Sequence, residues 1–544
     1  MLSGRMMDYP LTITHLLDRA ARYHGGTEIA SVRPDRSVTR TTYRDLAERS
    51  ARLANALTRL GVAPGDRVGT LAWNHHQHLE CYFGVPAMGA VVHTLNLRLH
   101  PTEIGYIANH AEDAVIVVDQ SLWPLFEKLR PAVKSLRHVL VIRDKGEPLP
   151  DGTHDYDALL ADASPTFAWP TLDERAGAML CYTSGTTGNP KGALYSHRST
   201  VLHALAVSLP DAIGFSMADT VLPVVPMFHA SAWGLPYAAV LTGARLVLPG
   251  PHLDPASLVT LMERERVTVA GGVPTIWLGI LQLLDAAPGA HDLSCIRTMA
   301  IGGSAAPAAL IDGFQQRHGL VVTHAWGMTE TNPVGTVARL KPHLRGDAKR
   351  ELALRATQGV AMPFVETRHV DDAGTILHWD GTTVGELEVR GPWVASSYFN
   401  DEGADRYTAD GWFRTGDVVT IDGEGYVSIT DRAKDVIKSG GEWISSVALE
   451  NALMAHPAVA EAAVFAARHP KWQERPVAAI VWKPGQRATD DELRAHLAAQ
   501  FTPMALPDAY VEMAQIPRNS TGKFLKSKLR ELHGELLIER GTKA

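Results

Sequence analysis

CYTSGTTGNPKGALYSHR, residues 181 to 198, decides how the rest of the chain is read. Gly185, Gly188 and Gly192 leave backbone N–H groups able to turn toward an anion with no Cβ in the way. Thr183, Ser184, Thr186 and Thr187 add hydroxyl donors, and Lys191 adds a positive charge. The preceding AMLCY, residues 178 to 182, reads as a strand. The density of donors, the NPKG turn and that strand speak for a phosphate cradle and against a ligand-free surface loop. It is not a Walker loop, because no lysine followed by Ser or Thr opens a helix after its last glycine.

Outward from this loop the chain alternates helix and strand signals. Leu46, Leu53, Leu57 and Leu60 recur at helical spacing, with Thr42 as the expected N-cap and Gly61 as the stop. RVGTLAW (67–73), AVIVVD (114–119) and HVLVIR (138–143) are short apolar runs of the kind that form buried parallel strands. The pattern returns at ARLVLPG (244–250), RVTVAGGVP (266–274), IRTMAIGGSAAP (296–307) and VVTHAWGMTE (321–330). Alternation of this length predicts an α/β fold with layered sheets covered by helices on both faces. From about residue 360 the texture changes. GELEVRGP and GWFRTGDVVTIDGEGYVSITDR are alternating strands with DG and EG turns, predicting an antiparallel β subdomain over roughly 350–433. Mixed α and β signals resume after DRAKD (431–435). The expected division is a large domain over 1–433 and a small α+β domain over 434–544.

With 544 residues, more than one domain is expected. A net charge of −7 argues against a nucleic-acid-binding surface. Cys81, Cys181 and Cys295 are widely spaced, without metal-ligand spacing, and suit a reducing compartment better than a disulfide framework. Asp8 and Pro10 interrupt the opening segment where a signal peptide needs an apolar run. No run approaches the roughly 18 apolar residues of a membrane-spanning helix. A cytoplasmic location is the expectation.

Further motifs accompany the loop in a fixed order: PMFHASAW (226–233), GGSAAP (302–307), HAWGMTE (324–330), GELEVRG (385–391), GWFRTGD (411–417), DRAKDVIKSGGEWIS (431–445) and PRNSTGK (517–523). Together they make the whole chain resemble the AMP-forming adenylate enzymes, which include acyl-CoA synthetases, peptide-synthetase adenylation domains and firefly luciferase. The resemblance implies a triphosphate cradle used for adenylation: a carboxylate attacks the α-phosphorus of ATP, pyrophosphate leaves, and a thiol, that of CoA, then takes the acyl group. Two anions must meet, so the site has to offset their charge. Mg²⁺ suits that task as a hard, oxygen-seeking cation; by resemblance Thr183 and Glu330 are its protein ligands, and Lys523 reaches over the site to bridge carboxylate and phosphate.

The resemblance also assigns Asp417 to the ribose hydroxyls with Arg432 beside it. It places Ala230, Ser304, His324, Ala325 and Thr329 around adenine and the α-phosphate. Trp326 stands where tyrosine is common, and its indole is expected to stack on adenine. Lys434 matches a hinge about which the C-terminal domain rotates for thiol transfer. That rotation brings in the loop 438–445, with Ser439, Gly440 and Gly441 at the pantetheine channel and Lys438 and Trp443 at nucleotide or CoA. His229 and Trp233 match positions that flank the carboxylate and gate an acyl tunnel, with Gly302 and Pro333 also on the acid's side. VLPVVPMFH (221–229), GGVPTIWLGIL (271–281) and GTVARL (335–340) are expected to wall an apolar pocket.

The implied partners are a small carboxylic acid, ATP and CoA, and the implied assembly is a homodimer. The absence of an acid near PMFHASAW disfavours an amino acid substrate. The motifs resemble bacterial medium-chain fatty acyl-CoA ligases and ligases of 3-(methylthio)propionate equally, leaving the acid open between them. A luciferase-like adenylate oxidase shares every nucleotide motif but not the acyl gate. A decayed nucleotide-binding scaffold is opposed by the joint presence of Lys523, Glu330, Asp417 and Arg432.

Overall fold

The computed structural model describes residues 4–183, 189–432, 435–439, 442–518 and 523–541. Thr42 starts the helix Tyr43–Arg59 as a reciprocal cap. Its hydroxyl accepts from the Asp45 N–H, and the Asp45 carboxylate accepts from the Thr42 N–H at 2.8 Å. Gly61, at φ +77°, takes the left-handed conformation just after the helix, which a Cβ would oppose. The helix buries Leu46, Leu53 and Leu57, as the periodicity requires.

Two sheets dominate. In the seven-stranded sheet, Arg67–Leu71 lies parallel between Val91–Thr94 and Asp113–Asp119, and His138–Ile142 extends it. Gly177–Tyr182 joins parallel to Val91–Thr94 and is closed by the antiparallel strand Gly192–Ser196. In the nine-stranded sheet, Thr220–Pro223, Val269–Gly272, Thr298–Ile301 and Val322–Gly327 run parallel side by side.

One apolar cluster contains residues from both sheets together with residues of the helices between them. Among these, His76–Ala87 is buried along its whole length, as a helix covered on all sides must be. Two other clusters cover the outer faces. One packs the helices Pro255–Arg264, Pro274–Ala286 and Ala308–His318, and the other packs Pro101–His110 and Trp123–Leu129. The result is a helix–sheet–helix–sheet–helix stack.

The antiparallel sheet predicted after residue 360 spans Glu366–Arg432. Residues just before it belong to the nine-stranded layer. Asp347 caps the helix Ala348–Ala356, and Val360–Ala361 pairs with Val334–Val337. The C-terminal unit is a five-stranded sheet built on the long hairpin of Val459–His469 and Gln473–Trp482. The helices Ser446–Met454 and Asp490–Ala498 cover one face, and Lys526–His533 the other. No helix among the described residues is long and apolar enough to cross a membrane.

Candidate functional site

Two parallel strands of the seven-stranded sheet and four of the nine-stranded sheet deliver their carboxyl ends to one cavity of about 480 Å³. Open α/β sheets bind ligands at those ends, since the connections leaving the strands are free to vary there. Asn96 and Arg98 follow Val91–Thr94, Thr183 follows Gly177–Tyr182, and Val224 to His229 follow Thr220–Pro223. Val273 and Gly302 follow the next two strands, and Trp326 to Glu330 close the fourth.

The strands on either side of residues 184–188, Gly177–Tyr182 and Gly192–Ser196, pair antiparallel. Ser184, Gly185, Thr186, Thr187 and Gly188 lie outside the described residues. On either side of them, the Thr183 N–H donates to the Lys191 carbonyl at 2.9 Å, and the Lys191 N–H donates to the Thr183 hydroxyl at 3.1 Å. Thr183 and Lys191 both line the cavity, so the loop's two ends are pinned at its wall.

Glu330 sits in the single turn Thr329–Thr331 beyond the strand and is 5% exposed. Its carbonyl accepts from the Ala395 N–H at 2.7 Å, while the neighbouring Thr329 carbonyl accepts from the Tyr195 hydroxyl at 2.6 Å. Its carboxylate accepts from the Tyr398 hydroxyl. Burial and the Glu330 charge push the Tyr398 phenol far above its ordinary pKa, keeping it protonated as the donor. The Lys191 ammonium lies 5.3 Å from the centre of the Tyr398 ring. Tyr398 had no local sequence signal; it reaches Glu330 only because the chain returns past the cavity.

Trp326 both lines the cavity and packs among Leu387, Val389 and Phe413 of the antiparallel sheet. Its indole N–H donates to Asp417 at 2.8 Å. Asp417 is 1% exposed and lies behind Trp326 and Thr415, which face the cavity. Thr415 accepts from the Asp417 N–H at 3.0 Å. Asp417 and Arg432 face each other as cross-strand partners.

The apolar part of the wall comes from Val224, Val225, Trp233, Val273 and Ile276, with Val334 standing just before the GTVARL segment. Trp233 adopts φ +57° in a turn where Ala230 (φ +40°) and Ala232 (φ +47°) are also left-handed. A Cβ at Gly302 would lie 2.7 Å from the Ala325 carbonyl and 3.3 Å from the Trp233 ring, so this close approach requires glycine. Ala230, Ala325 and Pro333 line the same cavity.

His229 and Lys523, remote from each other in sequence, both line this cavity. Burial, with Lys523 and then Arg98 nearby, lowers the His229 pKa to about 4, so the imidazole is neutral at pH 7.

Other expected residues stand apart from the cavity. Ser304 is exposed, and neither it nor His324 is part of the lining. His324 is buried and its Nδ1 lies 3.1 Å from the Ala356 carbonyl; burial lowers its pKa to about 4, so the neutral ring donates there. Ser439 is in the C-terminal sheet, its hydroxyl accepting from Arg475 at 3.3 Å. Lys434, Gly440 and Gly441 lie outside the described residues, as do the side chains of Arg432, Lys438 and Trp443. Arg98, Glu402 and Arg406 line the cavity without having been singled out by motif.

Comparison with known proteins covers nearly the whole length. Residues 17–399 match the AMP-binding enzyme family, and residues 448–523 match the AMP-binding enzyme C-terminal domain. The chain is 50% identical over 530 residues to a long-chain-fatty-acid–CoA ligase of Thermus thermophilus, covering 97% of this chain and 96% of that one. It is 47% identical over 538 residues to a 3-methylmercaptopropionyl-CoA ligase of Ruegeria pomeroyi (98% and 99% covered). It is 45% identical over 543 residues to a medium-chain-fatty-acid–CoA ligase of Ectopseudomonas oleovorans (99% of each). Among solved structures, the anthranilate CoA ligase AuaEII in complex with anthranoyl-AMP superposes with a TM-score of 0.86 at 26% identity, covering 96% of this chain and 98% of that one.

Proposed function

This chain belongs to the family of AMP-binding enzymes and is an AMP-forming acid–thiol ligase, and on that premise we propose that the acid it activates is a medium-chain fatty acid. The observation that carries the proposal is the composition of one cavity wall. Cations and a carboxylate (Lys523, Lys191 and Glu330) share it with an apolar lining of Val224, Val225, Trp233, Val273 and Ile276. A carboxylate head and an alkyl tail match those two parts.

AMP release with CoA, Mg²⁺ and ATP across straight-chain acids from propionate to decanoate tests this. Each buried methylene contributes about 0.8 kcal/mol, so kcat/KM should rise about fourfold per added carbon to a maximum between about six and ten carbons. Identity to the Ruegeria pomeroyi ligase supports a second reading, 3-(methylthio)propionate. A sharp preference for that acid, falling away with chain length, would replace the first.

In this reading the carboxylate and the triphosphate converge in the cavity with Thr183, Lys191 and Lys523 around them. Thr183 and Glu330 suit Mg²⁺, which keeps much of its shell in water and phosphate oxygens and takes only one or two protein oxygens. Mg²⁺ bound there would offset phosphate charge. Tyr398 holds the Glu330 carboxylate in place for it. Neutral His229 lines the cavity without adding a charge of its own.

Asp417 is the ribose acceptor in this account, and Trp326 is what aims it. Hydrogen bonds to a charged group contribute about 1.5–3 kcal/mol, so Trp326→Phe, which keeps an aromatic ring but loses the N–H, should raise KM for ATP at least about tenfold. KM for the acid should change little. An unchanged ATP KM would mean that the indole serves only as packing.

A further inference from the structure

We propose that Asp431, Ser446 and Lys526 form a buried relay that positions Lys523 for adenylate formation. The relay starts at the nucleotide side. Asp431 pairs across the sheet with Val418, the residue after Asp417. Its carboxylate, 1% exposed, accepts from the Ser446 N–H at 2.7 Å and from the Ser446 hydroxyl. Ser446 opens the helix Ser446–Met454 of the C-terminal unit and is fully buried. Its hydroxyl also accepts from the Lys526 ammonium. Lys526 pairs with Glu450 at 2.8 Å, and Glu450 in turn accepts from the Val464 N–H at 2.8 Å.

Lys526 is three residues beyond Lys523 and begins the helix Lys526–His533. Between them, Phe524 forms a bridge with Arg518, and the Leu525 N–H donates to the Pro517 carbonyl at 2.8 Å. The segment carrying Lys523 is thus tied at Lys526 to the strand that flanks Asp417. The Ser446 hydroxyl joins the two side chains, donating to Asp431 and accepting from Lys526, beside the Ser446 N–H that also donates to Asp431. Buried charges in such a chain are expensive unless every member is satisfied, which fixes their geometry. A lysine on a flexible stem gains its rate advantage only when its ammonium is held where charge develops.

This inference rests on the reading that Lys523 acts in adenylation. Ser446→Ala is the direct test, because it removes the shared hydroxyl while leaving the Lys526–Glu450 pair and the Ser446 N–H to Asp431 intact. Lys526→Ala would instead strand a buried Glu450 charge. Pyrophosphate release should fall about 10- to 100-fold in kcat, the cost of a misplaced catalytic group, with the KM for ATP nearly unchanged. Acyl-CoA formation from a supplied acyl-adenylate should stay close to the parent rate. Asp431→Asn, which keeps size but weakens acceptance, should show the same split, and thermal unfolding of both variants checks that they are folded.

Unchanged adenylation in both folded variants overturns the relay. Equal loss in the two half-reactions also overturns it, since general loosening would act on both. Lys523→Ala in the same two assays separates this from the reading beneath. If that variant adenylates normally, the role of Lys523 itself falls, and the relay with it. If it does not, while Ser446→Ala does, only the relay falls.

Discussion

In Lys523→Ala, acyl-adenylate formation is expected to fall by about 10²–10³-fold, the typical cost of removing one preorganised donor from a developing charge. Adenylation brings a carboxylate against a triphosphate, so a cation between them is worth most when the two are closest. Lys523 lines the cavity, and its charge is felt at His229 across it. Transfer of the acyl group from a supplied adenylate to CoA expels AMP and creates no such meeting of anions, so it should be slowed far less. Rapid-quench measurement of pyrophosphate release beside acyl-CoA formation from synthetic acyl-adenylate separates the steps. An equal loss in both would refute the role.

Glu330→Gln is expected to be nearly as damaging for a different reason. The substitution preserves size and still accepts the Tyr398 hydroxyl, so the local hydrogen bond survives. What is lost is the negative oxygen offered to a hard cation. Even second partners of metal ligands are worth about 10–100-fold in metal affinity, and a ligand should cost at least that. The Mg²⁺ concentration for half-maximal adenylation should therefore rise by a similar factor. ATP binding measured calorimetrically with and without Mg²⁺ should lose its dependence on the metal. A variant with unaltered Mg²⁺ dependence would remove Glu330 from the metal site.

Much of this was legible before any fold was known. The hairpin strand before the phosphate loop, the capped helix at Tyr43 and the buried parallel strands all followed from local rules: a period, a cap, a turn residue. Those signals lie within a few residues of what they specify. The change of texture after residue 360 likewise announced the antiparallel sheet, although the residues from 348 to 361 joined the neighbouring layer.

The sequence by itself determined which elements form, and through its ordered motifs which chemistry the chain carries. Only the tertiary structure decided which side chains meet. Tyr398 finds Glu330 across 68 residues and Trp326 finds Asp417 across 91. Ser446 stands 80 residues from Lys526, and no spacing rule operates over such distances. His324 sits inside a motif yet anchors the Ala356 carbonyl, because the helix Ala348–Ala356 packs beside its strand. Local propensity acts through backbone torsions and immediate neighbours, whereas pairing between remote side chains exists only once packing has brought their elements together.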